Sequence, residues 1–468
     1  MMSEIVKIQQ DLKSGKISCS GLIRKKISEL SGSKHNTANY LLTDMAMEMA
    51  QNVDERIKAG QEPGILAGVP FGVKDVYLLQ GQNASASSKF LKDYISPYTA
   101  TAIQKLIDAG AIPIAKENCD CFGHGSSNEN SFFGPVKNAF NDELVAGGSS
   151  GGSAVNVARG YTVFSIGGDT GGSIRQPAGY NKVYGLKPTY GRISRFGLMA
   201  YASSTDCVGP ISRSLEDIRI LVNVMSGKDL RDQTTHDCAA IPVDIFNDKI
   251  SGSDIRIGYY KNFLDHDLLD YKFREDFTGV LDKLRNQGIK VQELSFFDSN
   301  ILVSAYYILA MAETASNLAR LDGSVYGERS SGKNIKDVCA LTRSENFTEE
   351  TKRRIVGGNQ VLSHGYAEGI YHKAISVRNQ ITKSFTRDFQ HVDIIVSPVT
   401  PGTPPAIGSS LGNPLLMYLS DVYTVGFSLG GLPTLTCPFG TETGIQITAA
   451  KNREDSILKF ANFLKDIL

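Results

Sequence analysis

The sequence predicts an α/β protein with a mixed central β-sheet covered by helices on both faces. Short apolar segments of strand length alternate with longer segments of helical periodicity, the pattern of a sheet clad in helices. Several of the strand-like segments are apolar throughout, as strands buried on both sides are. The 468 residues show no proline-rich or low-complexity linker, no charge block and no internal repeat. One large domain spanning 1–468 is therefore expected, with residues 1–60 as a helical N-terminal segment packed on it.

Taken in order, helices are expected over residues 5–12, 20–31 and 43–59. Residues 68–76 form an apolar, strand-like segment broken by glycines. A helix over 98–109 leads into a strand at 111–115, and a short helix at 153–158 precedes a strand at 162–166. Residues 255–259 and 392–397 read as buried strands, and the helix 274–287 leads into the strand 289–294. The end of the chain, 453–468, is an amphipathic helix by the spacing of Ile457, Phe460, Phe463, Leu464 and Ile467.

Composition excludes several classes of function. Lys plus Arg and Asp plus Glu both number 49, so no positive field argues for nucleic-acid binding by this chain. The absence of a G-x-x-x-x-G-K-[ST] loop argues against ATP binding. The most apolar stretch, 301–312, is interrupted by Ser304 and too short to span a bilayer, so no membrane association is expected. The seven histidines lack metal-ligand spacing, and no metal site is expected. The seven cysteines, Cys19, Cys119, Cys121, Cys207, Cys238, Cys339 and Cys437, are odd in number and lack zinc-type pairs. Reduced thiols are the economical reading. The start, Met1 to Ile5, has an early acid and no apolar secretory core, which favours the cytoplasm, with a mitochondrial or plastid matrix as the alternative.

The chemistry concentrates in two glycine-flanked serines. Ser149 stands in Gly147-Gly148-Ser149-Ser150-Gly151-Gly152-Ser153, and Ser173 in Asp169-Thr170-Gly171-Gly172-Ser173-Ile174-Arg175-Gln176-Pro177-Ala178. Glycine lets other groups approach the backbone closely and leaves main-chain N–H groups uncovered, as an oxyanion requires. The N–H groups around Thr170, Gly171 and Gly172 are the candidate oxyanion hole. A flexible linker is the common reading of Gly/Ser runs, but a linker does not carry Asp169, Arg175 and Pro177 between apolar segments. Gly147-x-Ser149-x-Gly151 also matches the nucleophile elbow of α/β-hydrolases, which needs a strand before the serine. Residues 141–146 make a poor one. Without an evident histidine partner, a serine nucleophile needs another base, usually lysine. Lys74 is the best candidate, since burial in its apolar segment lowers an amine's pKa. Taken alone it reads better as an ordinary lysine at a strand end.

Together these residues resemble the amidase signature family. Its marks are a lysine in G-x-P-x-x-x-K-D, here Gly68 to Asp75, a GGSSGGS run, and D-T-G-G-S-[IV]-R-x-P-A, all present in order. The resemblance implies the amidase signature fold and a Ser-Ser-Lys triad. Ser173 would be the nucleophile, Ser149 the bridging serine on a cis peptide after Gly148, and Lys74 the base. Segments 125–131, 186–195, 316–320 and 352–355 are similar to the branch of the family that hydrolyses glutamine within tRNA-dependent amidotransferases.

That branch implies a pocket for free glutamine lined by Tyr306, Arg354 and Asp421. Glutamine is a zwitterion, and an arginine with an aspartate would meet its two charges, although surface ion pairing is the commoner fate of such residues. It also implies ammonia supply for converting Glu-tRNA(Gln) to Gln-tRNA(Gln), with the B and C subunits of the amidotransferase, or an equivalent small subunit, as partners. The misacylated tRNA is reached through the partner. No cofactor is implied in this chain, because ATP and Mg belong to the partner. Two alternatives stay open: a stand-alone amidase on another small amide, and a catalytically silent scaffold protein of the same assembly, against which the intact triad argues. The sequence departs from the family at Cys121, which replaces an acid, at His124, which replaces a common methionine, and in a shortened stretch around 440–447.

Overall fold

Among the described residues eleven strands join in one mixed sheet. They are β1 (Ala38–Leu41), β2 (Pro70–Lys74), β3 (Ile112–Glu117), β4 (Phe164–Asp169), β5 (Tyr184–Lys187), β6 (Cys207–Ser212), β7 (Arg256–Tyr260), β8 (Lys290–Leu294), β9 (Ile394–Pro398), β10 (Thr434–Phe439) and β11 (Thr443–Ala449). The order across the sheet is β1-β3-β2-β4-β6-β5-β10-β11-β9-β7-β8. β2 runs parallel to β3 and β4, and β7 runs parallel to β8 and β9. The remaining neighbours are antiparallel. The computed structural model describes residues 3–467 apart from Pro63, Asp248, Lys249, residues 251–254, Gly412, Thr441 and Glu442.

β2, β3, β6 and β9 are buried at every residue, as strands covered on both faces are. Helices cover both faces, as alternate residues of β10 show. Thr436 Oγ1 donates to Arg175 O at 3.0 Å, so one face meets the helix Arg175–Tyr180. Its neighbours Leu435 and Cys437 lie in the apolar core with Ile457, Leu458 and Phe460 of the helix Glu454–Lys465. At the start of the chain the helices Glu4–Lys13, Cys19–Ser31 and Thr43–Lys58 bury Ile5, Ile8, Ile23 and Ala46 in a second core that includes Phe71 and Val73 of β2. Ser3 and Ser18 cap the first two by accepting the N–H groups of Val6 and Gly21.

The expected elements recur with small shifts at their ends. The helix expected from 98 begins at Thr101, the one expected at 153 begins at Gly151, and the last helix ends at Lys465, with Leu468 outside the described residues. β1, β5, β6, β10 and β11 are strands that the sequence reading does not contain. The last four carry Gly185, Gly209, Pro210, Pro438 and Gly444, which erase the apolar signal of a strand. The apolar stretch 301–312 belongs to a longer element than its composition suggests. The helix Ser299–Asn317 and its following turn reach Arg320, and by length and composition alone this span could cross a membrane. Here Leu302, Ala305, Tyr306, Leu309 and Ala310 lie in the protein core.

Candidate active site

Parallel pairing sets the stage. Because β2 and β4 run side by side in one direction, Lys74 at the end of β2 and the turn leaving β4 at Asp169 emerge at the same end of the sheet. Phe71 stacks on Phe164 at 5.0 Å between the two strands. The Lys74 side chain is buried, and its Nζ donates to Ser149 Oγ at 2.6 Å, Ser150 Oγ at 2.9 Å and Gly168 O at 3.3 Å. Burial lowers the Lys74 pKa, an effect opposed by Cys119, Asp120, Asp169 and Asp206. A neutral amine placed this way can accept a proton from Ser149.

The two serine turns are tied together by backbone. Ser150 N donates to Ser173 O at 3.1 Å, Gly148 N donates to Gln176 Oε1 at 2.9 Å, and the Gly148–Ser149 peptide is cis. Ser173 is 8% exposed, and its Oγ makes no hydrogen bond among the described residues. The Lys74–Ser149 half of the expected relay is thus formed, and no hydrogen bond joins Ser149 Oγ to Ser173 Oγ among the described residues. Ser150, which the sequence does not distinguish, shares Lys74 with Ser149.

Asp169 organises the turn that carries Ser173. Its carboxylate accepts Gly172 N at 2.9 Å and Ile174 N at 3.1 Å, and takes a two-pronged ion pair from Arg175 through Nε at 3.0 Å and Nη2 at 2.9 Å. Burial opposes its ionisation, yet the Arg175 charge and these bonds hold it below the usual carboxylate range. Arg175 in turn reaches Thr424 O, Gln446 Oε1 and Ser428 Oγ. One expectation is corrected here. Gly172 N–H does not face the oxyanion, because Asp169 already uses it. The N–H groups of Thr170 and Gly171 make no hydrogen bond among the described residues and remain as donors. Thr170 is itself braced by its Oγ1 donating to Asp206 Oδ1 at 2.7 Å.

The expected glutamine residues gather against this turn. Tyr306 lies so close that a Cβ on Gly171 would sit 2.5 Å from Tyr306 Oη, so only glycine fits there. Thr424 Oγ1 donates to Gly171 O and to Asp421 O, which links the Asp421 loop to the turn before Ser173. Asp421 accepts from Tyr307 Oη at 2.7 Å and from Ser126 Oγ at 2.9 Å. Burial raises its pKa to about 7, against the Tyr307 and Ser126 hydrogen bonds and the Arg354 charge.

Arg354, on the helix Glu349–Leu362, is buried among the rings of Tyr201, Tyr307 and Tyr418 at 5.4, 5.3 and 5.7 Å. Its Nε donates to Glu350 Oε1 at 2.7 Å and its Nη1 to Tyr201 Oη. Nη2 makes no hydrogen bond among the described residues. The arrangement sets an arginine edge and a carboxylate on either side of Tyr307, against the turn that carries the candidate nucleophile. Tyr201, Tyr307, Tyr418, Ser126 and Thr424 complete it, and none of them is marked as a site residue by the sequence. The available signal was proximity in the chain: Ser126 lies in the segment 125–131, and Tyr418 and Thr424 each lie three residues from Asp421. Of the departures, Cys121 is a buried thiol pushed up to about 12 by desolvation, and His124 packs against Tyr201.

The Amidase family profile matches residues 23–458. The chain belongs to the amidase family. This amidase is 40% identical over 468 residues to the A subunit of glutamyl-tRNA(Gln) amidotransferase from Prochlorococcus marinus, covering 98% of this chain and 96% of that one. It is 43% identical over 434 residues to the protein of the same name from Deinococcus radiodurans, covering 91% and 89%. The crystal structure of the corresponding A subunit from Thermotoga maritima superposes with a TM-score of 0.73 at 34% identity, over 86% of this chain and 83% of that one.

Proposed function

We propose that this amidase is the glutamine-hydrolysing component of a tRNA-dependent amidotransferase and supplies ammonia for converting Glu-tRNA(Gln) to Gln-tRNA(Gln). The observation that carries the reading is the placement of Arg354 and Asp421, one cation with an unused edge and one carboxylate, around Tyr307 beside Gly171. A site for a simple amide needs neither charge, whereas glutamine presents an α-carboxylate to the first and an α-ammonium to the second. The names of the relatives support the same reading.

In the proposed reaction, neutral Lys74 takes a proton from Ser149 while Ser149 takes that of Ser173, and Ser173 Oγ attacks the glutamine side-chain carbonyl. The N–H groups of Thr170 and Gly171 hold the oxyanion. As the C–N bond breaks, Lys74 returns its proton through Ser149 to the departing nitrogen and ammonia forms. Water then cleaves the acyl-serine ester by the same relay, giving glutamate and restoring Ser173. The B and C subunits of the amidotransferase are the proposed partners, and ATP, Mg and the misacylated tRNA are handled there, in the cytoplasm. The test is glutamate formation from glutamine by this chain alone, by the assembled complex, and by the complex with Glu-tRNA and ATP. Stimulation of about five- to a hundredfold, the range of ordinary coupling between sites, is expected. Equal rates in all three would leave an uncoupled amidase.

A further inference from the structure

We propose that His124 is a positioning residue that sets glutamine affinity by fixing Tyr201 and, through it, Arg354. The inference rests on the glutamine reading above and goes beyond it, because His124 touches neither the triad nor the proposed substrate contacts directly. Both imidazole nitrogens are engaged by hydroxyls. Nε2 lies 3.2 Å from Thr314 Oγ1 and Nδ1 lies 3.4 Å from Thr351 Oγ1. Thr314 is on the helix that carries Tyr306 and Tyr307, and Thr351 is one turn before Arg354 on the helix Glu349–Leu362. The ring therefore pins together the two helices that furnish the pocket.

The ring makes a T-shaped contact with Tyr201, with centroids 4.6 Å apart at 79°. Tyr201 Oη accepts from Arg354 Nη1 and lies 3.4 Å from Tyr306 Oη, while the Tyr201 ring lies under the guanidinium. Rotation of Tyr201 would free Arg354 Nη1 and change which edge of the guanidinium is left for a carboxylate. Burial and the charge of Arg354 keep the imidazole neutral, so it adds no competing positive charge to the pocket. A methionine at this place would fill the volume, but a thioether offers one weak acceptor and no rigid ring.

The test uses the assembled complex and two substrates, glutamine and propionamide, with His124→Met, His124→Gln, Tyr201→Phe and the His124→Met/Tyr201→Phe pair. We expect His124→Met to raise the KM for glutamine about five- to tenfold with kcat within about twofold and propionamide hydrolysis nearly unchanged. Tyr201→Phe should also raise the KM for glutamine, and the double variant should raise it no more than the stronger single one, because both act through one contact. Partial recovery is expected for His124→Gln, which keeps hydrogen-bonding atoms, and it decides by the same criterion if the methionine variant does not fold. Equal slowing of both substrates, or single effects that multiply in the double variant, would overturn the proposal. A wild-type complex with no preference for glutamine over propionamide would remove the glutamine reading itself. A preference that survives every His124 variant would remove only this one.

Discussion

Replacing Asp421 by asparagine separates the charge of the pocket from its shape. The amide is the same size and keeps an oxygen to accept from Tyr307 Oη and Ser126 Oγ, which lie at 2.7 and 2.9 Å from the native carboxylate. What it loses is the anion proposed to face the α-ammonium. A hydrogen bond to a charged group contributes about 1.5–3 kcal/mol, so kcat/KM for glutamine at pH 8 should fall about ten- to a hundredfold. The pH dependence makes the prediction sharper. Burial lifts the Asp421 pKa to about 7 in the free enzyme, so the anion is lost as pH falls. It is about nine-tenths ionised at pH 8 and about one-tenth at pH 6. The advantage of wild type over the variant should therefore shrink roughly tenfold between those values. The limb due to Lys74 is common to both proteins and cancels in the ratio. Initial rates of glutamate formation from about pH 6 to about 8.5, with propionamide measured in parallel, give the answer. A ratio that stays constant with pH, or an equal loss on propionamide, would refute the assignment of Asp421 to the ammonium.

Other outcomes follow from the same geometry. For propionamide, kcat/KM should rise with pH through an apparent pKa below the ordinary lysine value of 10.5, and Lys74→Arg should be inactive because guanidinium keeps its proton. Near-normal turnover by that variant would exclude Lys74 as the base. Ser173→Ala should abolish both ammonia release and the acyl-enzyme, and mass spectrometry of a quenched reaction would contradict the mechanism if it placed a glutamyl adduct on another residue. Gly171→Ala puts a methyl group 2.5 Å from Tyr306 Oη. Restoring ordinary contact needs a shift of roughly 1 Å, and a displacement of that size at an oxyanion hole should cost about a hundredfold with either substrate. Wild-type rates from this variant would show that the turn and Tyr306 are not held together as described.

The local part of the site is legible in the sequence by itself. Lys74, Ser149 and Ser173 sit in short segments bracketed by glycines, and those segments carry their geometry in their own composition. The parallel pairing of β2 with β4 then brings Lys74 and the turn that carries Ser173 to one end of the sheet. Tyr201, Tyr307 and Tyr418 are silent for the opposite reason. Each is an ordinary aromatic in its own segment, and becomes part of a cage only when Arg354 arrives from another helix. The orientation of a single peptide is equally hidden. Asp169 and Gly172 stand in plain view in the sequence, but nothing there says that the Gly172 N–H turns toward the carboxylate rather than toward substrate. The hairpin of β10 and β11 escapes notice because its glycine, proline and threonine residues gain their burial from neighbouring strands.

The residues that would break an amide bond all precede Tyr180, and those that would meet the two charges of the substrate all follow Ser299. The two groups meet at one seam, where Tyr306 and Thr424 press on Gly171. A descendant of this gene can therefore exchange its preference chiefly by altering the second half of the chain while inheriting the serine turns and Lys74 unchanged. For a protein engineer the same seam marks the border of a library: vary Tyr306, Arg354, Tyr418 and Asp421, and leave the turn they rest on alone.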